Sequence, residues 1–124
     1  MWVCLNTGFV SIVEHPMHSD LVMVRGRRKE DVAALVKDEY FIEQTDARDY
    51  RFRAIAPKAK VARMVSDAVE SIDYGNFKDS VEDENLHKFY AEVWSSGIHN
   101  LDPGWIDRQL GFDGTYGVSN DNRA

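Results

Sequence analysis

Cysteine is nearly absent from this chain: Cys4 is the only one in 124 residues. An internal disulfide is therefore impossible, and no Cys/His spacing of a zinc site accompanies it. A lone early cysteine in an apolar strand reads as a small core residue and fits a reducing compartment. No apolar run approaches the roughly 20 residues that a membrane-spanning helix needs. The N-terminus has no basic stretch followed by an apolar one, so no secretory signal is expected. Together these absences predict a soluble cytoplasmic protein without membrane association. Phosphate-binding loops, dinucleotide fingerprints and nucleophile elbows are missing too. No catalytic set and no cofactor are expected.

Positive charge is scarce in the second half. The net charge is −6, yet residues 1–63 hold 11 basic and 9 acidic side chains, whereas residues 64–124 hold 4 basic and 12 acidic. The acidic half slows encounter with nucleic acid and disfavours direct binding to its phosphates. Its plain reading is a well-solvated surface. Its sharper readings are a contact face for a basic partner, or a surface that imitates nucleic-acid charge. An apolar fraction of 44% and a charged fraction of 29% suit one soluble domain able to bury a core without staples.

What the chain does have is a phrase written twice. Asp20 to Val36 lies on Asp49 to Val65 without gaps, at an offset of about 29 residues, a period in the range of internal repeats. Lys29 meets Lys58, Val32 meets Val61, Ala33 meets Ala62 and Val36 meets Val65. Each copy reads as an acidic turn residue, an alternating strand, a basic junction and an amphipathic helix. The pattern predicts an α+β domain at residues 1–100: a four-stranded, mainly antiparallel sheet of two ββα repeats, with helices on one face and an extra C-terminal helix. Residues 101–124, rich in Gly, Asp and Asn, read as an acidic tail, partly docked or disordered.

Phe9 to Val13 is β-rich. Asn6-Thr7-Gly8 before it admits either a tight hairpin or a bulge in one long strand, and the shortness of Trp2 to Leu5 favours the bulge. Leu21 to Arg27 alternates, Tyr40 to Gln44 is a further strand, and Tyr50 to Ala56 alternates most clearly of all. In that last strand Tyr50, Phe52, Ala54 and Ala56 share one face and Arg51, Arg53 and Ile55 the other. Helices are expected from about Lys29 to Lys37, from Lys58 to Ile72 behind Pro57, and from Glu84 to Ser96, with Gly97 as the stop. The predicted core is Val10, Ile12, Val22, Val24, Val32, Leu35, Phe52, Val61, Val65, Val69, Leu86, Phe89 and Val93.

Two groups of residues are candidates for binding. Arg25, Arg27, Arg51 and Arg53 would gather on the exposed sheet face if the repeats pair, and arginine forks suit carboxylate or phosphate. The competing explanation is pairing with Glu43, Asp49 and other local acids. Asp73, Tyr74, Asn76 and Lys78 join polar, aromatic and cationic groups in one turn between helices, where helix capping explains them equally well. His15 and His18 read as loop surface, and Glu82, Asp83 and Glu84 as acids at a helix N-terminus. No metal site is expected.

Trp2, the Gly8 to Val13 strand, Leu21 to Arg27, Asp49 to Ala54, Ile72 to Lys78 and the Tyr90, Val93-Trp94 helix together resemble a family of small bacterial proteins. Its pattern is a Trp-led GFFSVV strand, a VRAR strand, a DYxYRA strand, an IDYPNFK segment and a closing Y..VW helix. The resemblance covers roughly residues 1–96 and carries over no catalytic residue. Gly75 stands where the pattern has Pro, Gly26 where it has Ala, and the tail is additional. A divergent copy with an acidic extension suits a phage or mobile-element protein. The expected function is a non-enzymatic protein-interaction or regulatory module with a protein partner. The alternatives are a phage-type inhibitor occupying a nucleic-acid site of a host protein, and a small-ligand binder or enzyme using the arginine-bearing sheet.

Overall fold

The computed structural model describes residues 1–111. The chain divides into two units, Met1–His87 and Lys88–Ala124. In the first, the strands β1 (Trp2–Leu5), β2 (Gly8–Glu14), β3 (Leu21–Gly26), β4 (Glu43–Gln44) and β5 (Phe52–Pro57) form one sheet in the order β1-β2-β3-β5-β4. All four pairings are antiparallel. Helix α1 (Lys29–Val36) follows β3 and helix α2 (Lys58–Glu70) follows β5. The protein is therefore α+β with an antiparallel sheet.

The sheet has five strands, not the four expected. Leu5 and Gly8 are register partners across a two-residue turn at Asn6-Thr7, so the first strand is a hairpin arm and Gly8 is no bulge. Gly8 has another purpose. A Cβ there would sit 2.8 Å from the Asp31 Cα and 3.0 Å from the Ala34 Cβ, so the missing side chain lets α1 lie directly on β2.

Alternation decides which face receives the helices. Val10 and Ile12 of β2, Val22 and Val24 of β3, and Phe52, Ala54 and Ala56 of β5 form the core with Val32, Leu35 and Val36 of α1 and Val61 of α2. Each valine, leucine, isoleucine or phenylalanine among them contributes about 1.5–3 kcal/mol on burial, and the alanines less. Helix α1 stops where Lys37 takes a positive φ of 58°. The end of α2 is not covered: Val69 is 61% exposed and Ile72, beyond the helix, is 49% exposed. Neither belongs to the core that the apolar stripe predicted.

A 3-10 turn at Lys78–Ser80 precedes α3 (Glu84–Leu101). Its first turn is held at Asp83, whose Oδ1 accepts the Leu86 N–H at 2.8 Å. Leu86 and Tyr90 are buried, whereas Phe89 and Val93, both expected in the core, are exposed. Helix α3 does not stop at Gly97. Glycine costs a helix interior only about 1 kcal/mol, and Pro103 ends it instead, one residue past the Asp102 N–H to Ile98 carbonyl bond of 3.1 Å.

In the second unit, α4 (Trp105–Leu110) lies within the stretch read as a tail. The Trp94 and Trp105 rings meet edge to face at 6.1 Å, and Arg108 pairs with Asp102 at 2.6 Å. The glycines at 114 and 117 and the Asn-rich end lie outside the described residues.

Candidate functional site

The sheet separates the candidate residues onto opposite faces. Arg25 and Arg53 are register partners in β3 and β5, on the face turned away from α1 and α2. Like charges placed directly opposite destabilise a sheet, so the pair needs an explanation. Tyr50 supplies part of it. Though grouped by alternation with Phe52, it precedes β5 and escapes the alternation. The guanidinium groups of Arg25 and Arg27 lie 4.8 and 4.4 Å from its ring centroid. The Arg53 Nη2 donates to the Tyr50 carbonyl at 3.1 Å, and the Arg25 Nη2 donates to the Ser11 Oγ at 2.8 Å.

Local acids do not neutralise this cluster. Among the described residues, no carboxylate reaches ion-pairing distance of Arg25, Arg27 or Arg53. Glu43 is the register partner of Arg53 but accepts from the Thr45 hydroxyl at 3.3 Å. Asp49 accepts the Tyr50 N–H at 2.9 Å. Arg51 alone of the four has an acid, Asp46 at 3.4 Å, and it lies over the Phe52 ring rather than joining the others. Arg53 is 8% exposed, and the Nε atoms of Arg25 and Arg53 are buried without a hydrogen-bond partner.

Arg28, beside this group, shows what full pairing looks like. It reaches Asp31 at 2.6 Å and Asp83 at 3.1 Å. The Asp31 hydrogen bonds raise the Arg28 pKa further above its already high value. The Leu86 N–H, then Arg28, hold the Asp83 carboxyl below its usual range.

On the helix-bearing face lies an apolar groove of about 550 Å³. Val3, Leu5, Leu35 and Met64 line it, with Val69 and Ile72 at its lip. Its charged lining is Glu39, Asp67 and Asp73 against Lys37, whose Nζ is held by the Ala34 carbonyl at 3.0 Å. A second hollow of about 470 Å³, lined by Met1, Ile12 and Val22 among others, shares Val65 with it. Asp73 and Tyr74 line the first groove, but Asn76 and Lys78 do not. The Asn76 Oδ1 accepts the Asp79 N–H at 3.2 Å at the 3-10 turn that Lys78 begins.

β1 is one of the two outer strands, and among the described residues no strand pairs with it on the side away from β2, beside that groove. Met1 and Ile12 exchange both backbone hydrogen bonds, each 2.8 Å, which sets the phase of the antiparallel ladder. Val3 and Leu5 therefore face β2, while the N–H and C=O groups of Trp2 and Cys4 point to the open edge. Sequence reasoning missed this because it read β1 and β2 as one strand. Cys4 is exposed rather than in the core, and its thiol is no activated nucleophile, since its partial desolvation raises its pKa.

No group of acids, histidines or cysteine able to hold a metal ion occurs among the described residues, and no helix there is long and apolar enough to cross a membrane. Comparison with known protein families, curated proteins and solved structures finds no match to this chain.

Proposed function

We propose that the chain is a non-enzymatic protein-interaction module that takes an extended, basic-flanked apolar segment of a partner protein. The observation that carries this reading is the joining of an open strand edge to an acid-rimmed apolar groove. A segment laid antiparallel along β1 would pair with the free backbone groups of Trp2 and Cys4. Its alternate side chains would then enter the groove beside Val3 and Leu5, because side chains alternate across a strand. Glu39, Asp67 and Asp73 would meet lysine or arginine flanking the apolar positions. The same reading takes β2–β3–α1 and β4–β5–α2 as two copies of one ββα phrase, supported by the ungapped match of Asp20–Val36 with Asp49–Val65.

Selection of random dodecapeptides against the full chain tests this. Enriched sequences should alternate apolar residues, carry Lys or Arg, and bind more weakly as salt screens the rim. Ile72→Glu, at an exposed position, should abolish their binding, whereas Arg27→Gln should not. Absence of enrichment, or peptides indifferent to Ile72→Glu, overturns the proposal. The guanidinium cluster on the other face favours a second reading, small-ligand binding.

A further inference from the structure

We infer that Arg25, Arg27 and Arg53 form a phosphate-binding site around Tyr50, on the sheet face opposite the groove and independent of the peptide-binding reading. Each guanidinium is oriented by a neutral group. Ser11 Oγ holds Arg25, the Tyr50 carbonyl holds Arg53, and the Tyr50 ring holds Arg27 and Arg25. The remaining side-chain contact of Arg53 is also neutral, the Met23 sulfur at 4.0 Å. The chain thus fixes three forks in place without cancelling their charge, which lowers the ordering cost of binding an anion.

An arginine that is 8% exposed and opposite another arginine is expensive to keep without a counter-charge. An anion seated between the forks removes that cost. The chemistry favours phosphate over carboxylate. Three cations are present, and a dianion offsets more of their charge than a monoanion does. The Arg25 Nη1 and the Arg27 guanidinium have no hydrogen-bond partner among the described residues, so one arm of Arg25 and the Arg27 fork remain to grip several oxygens of a tetrahedral group. Arg27 is exposed and Arg25 partly so, giving the anion its approach. The overall charge of −6 repels anions elsewhere, so the cluster acts locally rather than as a broad basic surface.

The phosphate could be free or borne as a monoester, and both share this chemistry. NMR titration of the full chain with inorganic phosphate, O-phosphoserine and acetate, at fixed ionic strength, tests the site. Phosphate should produce saturable shifts in the side-chain Nε–H signals of Arg25 and Arg53, and acetate should bind about tenfold more weakly or worse. Arg27→Gln should weaken phosphate by about tenfold, the loss of one charge-assisted contact, and Arg27→Lys should restore only part of it. Tighter binding of O-phosphoserine assigns a monoester, and the reverse assigns free phosphate. The inference is overturned by absence of saturation, by acetate binding as tightly, or by Arg27→Gln leaving affinity unchanged. Because Arg27 is exposed, that variant decides the matter even if Arg25→Gln fails to fold.

Discussion

Replacing Gly8 by alanine should separate α1 from the sheet by a measurable amount. The new Cβ would stand 2.8 Å from the Asp31 Cα and 2.9 Å from its carbonyl oxygen. Both are backbone atoms and cannot swing away, so α1 must retreat about 0.6 Å to reach ordinary contact. Overpacking of this kind costs about 1–3 kcal/mol. Gly8 has no positive φ to protect, so alanine recovers about 0.4–1 kcal/mol through the unfolded chain. The net loss should be about 1–2 kcal/mol by urea denaturation, with an unchanged slope. Ala34 and Leu35 line the groove, so the same variant should weaken the selected peptides as well. Gly97→Ala is the control: no described residue lies within 4 Å of its added Cβ, and it should stabilise α3 by about 1 kcal/mol. If Gly8→Ala were as stabilising as Gly97→Ala, the close approach of α1 to β2 would be refuted.

Three further outcomes follow from the charges. Asp31→Ala should cost about 1–3 kcal/mol in thermal or urea unfolding, because Asp31 is buried against Arg28 while Arg28 keeps Asp83. Arg53→Met should leave stability unchanged or raise it by about 1 kcal/mol in phosphate-free buffer, since removal of an uncompensated buried charge outweighs the lost bond to the Tyr50 carbonyl. A loss above about 3 kcal/mol would contradict it. The lowered pKa of Asp83 means the folded state holds its proton less tightly than the unfolded one. Its contribution is therefore full at neutral pH and lost as pH falls below about 4. Asp83→Asn should flatten the acid side of the stability profile.

Much of the first unit was legible because it rests on period. The alternation of Phe52, Ala54 and Ala56 against Arg53 and Ile55 placed β5, and the shared face of Arg25 and Arg53 followed from pairing it with β3. What was not legible depends on contacts far apart in sequence. Alternation put Tyr50 on the face of Phe52, yet it lies before β5 begins and its buried ring stacks on Arg25 and Arg27. Asp73 and Lys78 are five residues apart, but only Asp73 lines the groove. Leu86, Phe89, Tyr90 and Val93 cover too wide an arc for sequence to choose the buried edge. Gly8 read as a bulge because its packing partner, α1, begins more than twenty residues later.

The most direct test of the interaction surface is backbone amide exchange with and without a selected peptide. The amides of Trp2 and Cys4, which point to the open edge of β1, should exchange rapidly in the free chain and become protected when peptide binds. Those of Val3 and Leu5, already facing β2, should change little. Peptide binding that leaves the Trp2 and Cys4 amides unprotected would contradict strand addition at β1.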